Sequence, residues 1–349
     1  MSPADGGVAA LEYPHEAAPA PGTVEEVAKG IYWLRMPLPF ALDHINLWLL
    51  EDGDGWTIVD TGLDGEATRA LWERVFATVL GGRPVTRVLV THFHPDHMGL
   101  AGWLTERWEA PLWTSEREWL WARSLSLDTD HAAFGAAARR FYRAAGLDEA
   151  AVATSWGRGN LYPKRVSTIP RSFRRLSDGN TIAIGGREWR VVVGQGHAPE
   201  HVCLWCPELA VFIAGDQVLP KISPNVSLWA TEPEGDPLRL YLESLERIRA
   251  TVPADVLALP SHNAPFRGLH ERIEQLIRHH EERLALLEAA CAAPRTAAET
   301  VPLLFRRQLD PHQLGFAIGE ALAHLQYLVG AGRLVRRTRA DGVHEFGTP

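Results

Sequence analysis

Cysteine is scarce in this chain of 349 residues, with only Cys203, Cys206 and Cys291. So small and odd a number excludes a disulfide framework and suits a reducing compartment. Cys203 and Cys206 form one C-x-x-C pair, but no second pair completes a four-cysteine zinc site. Both are read as ordinary thiols beside a strand. Long apolar runs are missing as well. No stretch reaches the roughly 18 residues of a membrane span. The chain does not start with a basic segment and an apolar run of signal-peptide length. A cytoplasmic protein with no membrane partner is expected. A basic excess is also absent. The formal net charge is −8, which argues against a dedicated nucleic-acid binder. The imbalance lies in the front part: 24 basic and 33 acidic side chains precede residue 265, and 11 and 10 follow it. Arg333, Arg336, Arg337 and Arg339 form a local basic cluster. Finally, no G-x-S-x-G segment marks a serine nucleophile.

Apolar material is plentiful, at 46% of residues. A single core stops growing at about 250–300 residues, so one large domain with a smaller appendage is expected. Residues 1–28, rich in Ala, Pro, Gly and Glu, read as a disordered tail. Strand patterns follow at 31–36, 46–50 and 56–60, the last two joined by the turn-forming run Glu51-Asp52-Gly53-Asp54-Gly55. Leu71, Val75 and Val79 recur at helical spacing, and Gly81-Gly82 stops that helix. A strand over 85–90 delivers the chain into a histidine-rich loop. Helical patterns cover about 99–154. Short strands fit 181–184, 189–193, 202–205 and 211–214. A helix over 237–251 and a strand over 256–259 close this part. The order of strands, helices, strands and helix suggests two packed sheets with outer helices, an α/β sandwich of two halves. After residue 265 the pattern gives helices over 267–292, 296–304 and 311–329. A hairpin around Asp341-Gly342 ends the chain, an order that looks like a winged-helix unit.

The chemistry concentrates in His92-Phe93-His94-Pro95-Asp96-His97. Neutral imidazole and carboxylate are good donors for zinc and other divalent transition metals. Four of them within six residues, after a buried strand, can feed two metals instead of one. The chain holds 15 histidines, so some clustering arises by chance, but the ordered pattern H-x-H-x-D-H is highly specific.

With these residues the sequence resembles the metallo-β-lactamase fold superfamily of metallohydrolases, over about residues 28–265. Asp60, ending Val59-Asp60-Thr61-Gly62, matches that family's structural aspartate, which supports the metal loop from behind. His197, in Gly194-Gln195-Gly196-His197-Ala198-Pro199-Glu200-His201, matches a ligand segment in which Ala198 and Glu200 depart from the usual pattern. Asp216 ends Phe212-Ile213-Ala214-Gly215-Asp216 at the place of the bridging carboxylate, and His262 follows the closing strand. The resemblance implies a four-layer αββα sandwich over 29–265 and a C-terminal helical, winged-helix-like domain over 266–349. It implies one metal on His92, His94 and His197, a second on Asp96, His97 and His262, and Asp216 spanning both. Zinc is the first expectation, with iron or manganese fitting the same donors. Coordinated water would be the nucleophile, with its pKa brought near 7. Asp96 would be the catalytic carboxylate that orients it or accepts its proton.

Other positions carry weaker signals. His201 reads as a supporting or core histidine. Lys221 and Asn225, on the loop leaving Asp216, are candidate substrate contacts. Trp103, Trp108, Trp113, Trp119 and Trp121 fall on the helices that would cover the cleft, where core packing is the readier explanation. The whole layout resembles the β-lactamase-like-protein-2 group, which implies either acyl-thioester hydrolysis or ribonuclease activity. The acidic balance and tryptophan-rich cover favour a small-molecule thioester, lactone or ester substrate. The alternative is an endoribonuclease on single-stranded RNA, supported by the tail and its arginines. A homodimer is a further expectation.

Overall fold

The computed structural model describes residues 10–15, 17–40, 42–156, 159–306 and 308–349. A seven-stranded sheet runs in chain order: Val24–Ala28, Ile31–Pro37, His44–Asp52, Gly55–Val59, Val85–Leu89, Leu112–Thr114 and Arg174–Arg175. Its first four strands are antiparallel neighbours, and the rest pair parallel. A second sheet holds five strands: Thr181–Ile184, Arg187–Gly194, His201–Cys206, Val211–Gly215 and Leu257–Pro260.

Alternation along the strands explains why the sheets stack. Side chains of a strand point to opposite faces in turn. In the strand Arg187–Gly194, Val191 and Val193 enter the core between the sheets, while Val192 faces the outer helices. Ile213 and Phe212 divide in the same way, as do Trp48 and Leu47 in the first sheet. Strands buried on both faces need helices outside both sheets. Glu66–Thr78 supplies Trp72, Val75 and Phe76 to the first sheet's outer core. Pro237–Thr251 supplies Leu238, Tyr241, Leu245 and Ile248 to the second's. The result is the expected four-layer αββα sandwich.

The C-terminal part forms three helices, Leu269–Ala290, Ala297–Leu304 and Pro311–Gly330, and a hairpin of Val335–Thr338 with His344–Gly347. These helices do not have a core of their own. Leu276, Ile318 and Leu325 belong to the same buried cluster as Phe212 and Ala214 of the second sheet. The chain after residue 268 therefore builds the outer wall of the sandwich.

The disordered tail expected over 1–28 requires correction. Residues 1–9 and 16 lie outside the described residues. Of the rest, Val24–Ala28 is a strand that pairs with Ile31–Pro37 through a two-residue turn, with Gly30 at φ 74°. Only glycine takes that left-handed geometry without steric cost. Glu12 bridges Arg267, and Leu11 packs on the helical core. Composition averages over the segment and hides one short run, Val24-Glu25-Glu26-Val27-Ala28, whose pairing shifts register between Glu26 and Ala28. That run needed the neighbouring strand's edge to become a strand itself. Among the described residues, no helix is long and apolar enough to cross a membrane.

Candidate metal centre

Parallel pairing brings several strand ends to one edge of the sandwich. Asp60 follows the strand ending at Val59, and His92 follows the strand ending at Leu89. In the second sheet, Asp216 and His262 follow the parallel strands Val211–Gly215 and Leu257–Pro260, and His197 follows Arg187–Gly194. Loops at carboxyl ends of strands are free to carry chemistry because the sheet fixes their roots.

The seven expected ligands converge. His92, His94 and His197 form one group, His92, His97 and Asp216 a second, and Asp96, His97 and His262 a third. Within each group the donor atoms lie within 4.8 Å of one another. His92, His97 and His262 are almost wholly buried, whereas His94 and Asp96 are partly open. Pro95 starts the short helix Pro95–Met98, which swings Asp96 and His97 toward the second cluster.

Three of the rings are aimed by their other nitrogen. His97 Nδ1–H donates to Asp60 Oδ2 at 2.8 Å, His262 Nδ1–H to the His44 carbonyl at 2.8 Å, and His197 Nδ1–H to the Asn225 carbonyl at 2.8 Å. These bonds set the tautomer, so the Nε2 lone pairs face the centre. Asp60 is 1% exposed, lies at φ 62°, and also accepts from the Thr91 N–H at 2.8 Å and hydroxyl. It ties the root of the histidine loop to the neighbouring strand.

The centre is built for cations. His97 Nε2 and Asp216 Oδ1 are buried with no hydrogen-bond partner among the described residues, although they face each other at 3.7 Å. His92 Nε2 lies 2.8 Å from His94 Nδ1 and 3.3 Å from His197 Nε2. Burial and the surrounding imidazoles hold His92 and His94 well below the usual histidine range. Neutral imidazoles keep lone pairs free for a metal, and nitrogens this close can share one cation. The other cluster asks for positive charge too. Burial opposes protonation of His97, yet Asp60, Asp96 and Asp216 outweigh it and raise its pKa well above the usual value. Burial opposes the charge on Asp216, but His262 and His97 hold its carboxyl well below the usual range. The donors fit divalent metal ions.

The remaining expectations fall as follows. His201 is fully buried, stacks on His92 at 4.7 Å, and its Nε2 accepts from the Asp216 N–H at 3.0 Å. Burial and His197 push its pKa down to about 3, so it is a neutral prop under Asp216. Asn225 makes its contact to His197 through its carbonyl, and Lys221 is exposed over the Tyr13 ring at 5.7 Å. Trp103, Trp108 and Trp119 pack on the outer core of the first sheet, and Trp113 on the core between the sheets. Trp121 alone of the five stacks on Phe93, at 5.9 Å. Cys203 and Cys206 are free thiols buried on opposite faces of their strand.

Several residues escaped the sequence reading. Glu118 is fully buried and accepts from the Phe93 N–H at 2.8 Å and the Glu200 N–H at 2.6 Å. It clamps the loop of His92 and His94 to the segment of His197. Burial, opposed by those two donors, pushes its pKa up to about 8. In the sequence it is one acid in Glu116-Arg117-Glu118, with nothing to separate it from a solvated helix face. Tyr162 donates to the Phe93 carbonyl at 2.5 Å, and Asn46 donates to the carbonyls of Pro260 and Asn263 at 2.8 and 2.7 Å, bracing the His262 loop. These bonds span 69 to 217 positions of sequence, too far for any local pattern to show.

Comparison with known proteins agrees with this geometry. Residues 41–262 match the family described as the metallo-beta-lactamase superfamily, and residues 284–349 match a metallo-beta-lactamase-like C-terminal domain. The crystal structure of a beta-lactamase domain protein from Burkholderia ambifaria is 49% identical and superposes with a TM-score of 0.89, covering 97% of this chain and 98% of that one. A metallo-beta-lactamase family protein from Thermus thermophilus is 33% identical with a TM-score of 0.76, covering 92% and 99%. The probable metallo-hydrolase YqjP of Bacillus subtilis (strain 168) is 27% identical over 309 residues, which are 84% of this chain and 91% of that protein.

Proposed function

The chain belongs to the metallo-beta-lactamase superfamily and is a metal-dependent hydrolase, and on that premise we propose that it cleaves a small-molecule thioester, lactone or related ester. His92, His94 and His197 would hold one divalent ion, and Asp96, His97 and His262 the other, with Asp216 between them. Zinc suits these donors first, and iron and manganese fit the same set. Bound divalent ions bring the pKa of water toward neutrality and polarise the bond under attack. The protein's own part is placement and proton handling. The partly open Asp96 carboxylate stands 3.6 Å from the Nε2 atoms of both His97 and His262, where it can orient the attacking water and take its proton. Phe93, Trp121 and Tyr162 form an aromatic wall beside the histidine loop, suited to an apolar acyl group.

One observation carries the choice of a small molecule over RNA. Three of the four tail arginines are occupied by acids: Arg333 by Glu288 at 3.0 Å, Arg336 by Glu234 at 2.9 Å, and Arg339 by Asp341 at 2.8 Å. A strand-binding surface keeps its cations for phosphates. The helix-and-hairpin tail, winged-helix-like in its order, serves here as a wall. Purified protein should release thiol from an acyl-thioester panel or open lactones, and Asp216→Asn should abolish this. Efficient cleavage of labelled single-stranded RNA, lost in the same variant, with no esterase or thioesterase turnover, would replace this reading with the endoribonuclease. Elemental analysis of protein purified without added metal identifies the ions.

A further inference from the structure

The C-terminal helix Pro311–Gly330 touches the loop behind one of the candidate ligands. That loop leaves Asp216 and has no regular secondary structure from Leu219 through Leu228. Its Asn225 carbonyl accepts the Nδ1–H of His197 at 2.8 Å. This bond decides which His197 nitrogen carries the proton and where the ring points. The carbonyl must therefore be held still by something outside the loop.

The helix does so at successive points. The Leu228 N–H donates to the Gly319 carbonyl at 3.0 Å, although that carbonyl lies inside a helix. The Ser227 hydroxyl lies 2.7 Å from Asn225 Oδ1 and 3.4 Å from the Phe316 carbonyl. Trp229 meets Phe316 edge to face at 6.0 Å. Val226 and Leu228 are buried in the cluster that holds Ala317, Ile318 and Leu322. Gly319 permits this approach. A Cβ at that position would stand 2.7 Å from Ser227 Oγ and 2.8 Å from Ser227 Cβ. Glycine inside a helix costs backbone freedom, and here the missing side chain is what lets the loop lie against the helix.

We propose that the C-terminal helix is a positioning element for the metal centre, acting from Gly319 through Ser227 and Asn225 on His197. The contact makes the affinity of the His92–His94–His197 group depend on a helix that contributes no ligand. This rests on the reading of those three histidines as metal donors.

Gly319→Ala tests it. The added methyl pushes Ser227 and shifts the Asn225 carbonyl. Loss of an outer hydrogen-bonding partner typically weakens a metal site by roughly 10–100-fold. Titration with Zn2+ against a chromogenic chelator should show one of the two ions weakened by about tenfold or more, and the other held as in the parent. In the cobalt-substituted protein the visible spectrum should change in intensity. Circular dichroism should report a folded chain. The double variant Gly319→Ala with Ser227→Gly removes the clash together with the hydroxyl and should return the affinity to the level of Ser227→Ala. Ser227→Ala, which adds no atoms, should weaken the same ion several-fold, and it carries the test if Gly319→Ala fails to fold. Parent-like affinity and cobalt spectra in the folded variants would overturn the proposal and leave the metallo-hydrolase reading intact. A parent protein that takes up no divalent ion would overturn both.

Discussion

The molecule buries two clusters of histidine, and they differ in what surrounds them. At the strand ends, five histidines share the space with Asp60, Asp96 and Asp216, and their nitrogens converge. In the helical wall, His280 and His324 meet at 3.1 Å, and His324 Nδ1–H donates to the Glu320 carbonyl at 2.7 Å. The Glu320 carboxylate, on the same helix, is taken by Arg283. Burial, with neighbouring positive charge, pushes His324 down to about 3 and His279 to about 4, and holds His280 well below the usual range. Burial beside positive charge thus keeps histidine neutral. Buried histidine becomes a metal donor set when the lone pairs converge and carboxylates supply charge for a cation to balance. A count of 15 histidines says nothing about which case applies.

The contrast breaks most sharply at Asp216. Asp216→Ala removes the carboxylate that faces His97 at 3.7 Å and His197 and His262 at 3.5 Å, and turnover should fall by more than the roughly 10–100-fold typical of an outer partner. Elemental analysis should show lost metal alongside the kinetic loss. Asp60→Ala comes next. It leaves His97 Nδ1 and the Thr91 N–H without their acceptor, and metal affinity should drop by roughly 10–100-fold, read by chelator competition.

Glu118→Ala should act through shape. It strands two partly buried N–H groups, at about 1–3 kcal/mol each, so chemical denaturation should show a loss of about 2–6 kcal/mol. The second cluster should respond least. His280→Leu with His324→Leu removes both partners of a buried bond, which is close to neutral. Metal content and turnover should stay within about twofold of the parent, and stability at pH 7 within about 1 kcal/mol.

The same pair sharpens the comparison through pH. Their pKa values, and that of His279, are lower in the fold than the usual 6.5. Below 6.5 the unfolded chain binds protons that the folded chain refuses. Stability from the pair is therefore complete above 6.5 and is lost as pH falls toward about 3, where His324 titrates in the fold. Melting temperature against pH should slope less steeply over that window in the double leucine variant than in the parent.

Much of this was legible without a structure. The helix expected over 237–251 is found over Pro237–Thr251, and the helix expected over 311–329 is found over Pro311–Gly330. Helix ends are written locally, in caps such as Asp236 and Asp310, each accepting from an N–H three residues on. The tail was misread for the opposite reason: Val24–Ala28 is a strand only because Ile31–Pro37 presents an edge to it. Glu118, Tyr162, Asn46 and Gly319 were silent because their meaning lies in partners far along the chain.

By itself the sequence determined the donors and the scaffold's order, since ligand chemistry resides in residue type and strand and helix periods in short-range pattern. Which nitrogen each histidine turns inward, and what braces it, only the tertiary structure decided. Those choices belong to hydrogen bonds between Asp60 and His97, His44 and His262, and Asn225 and His197, groups that meet only once two sheets and a C-terminal helix have packed together.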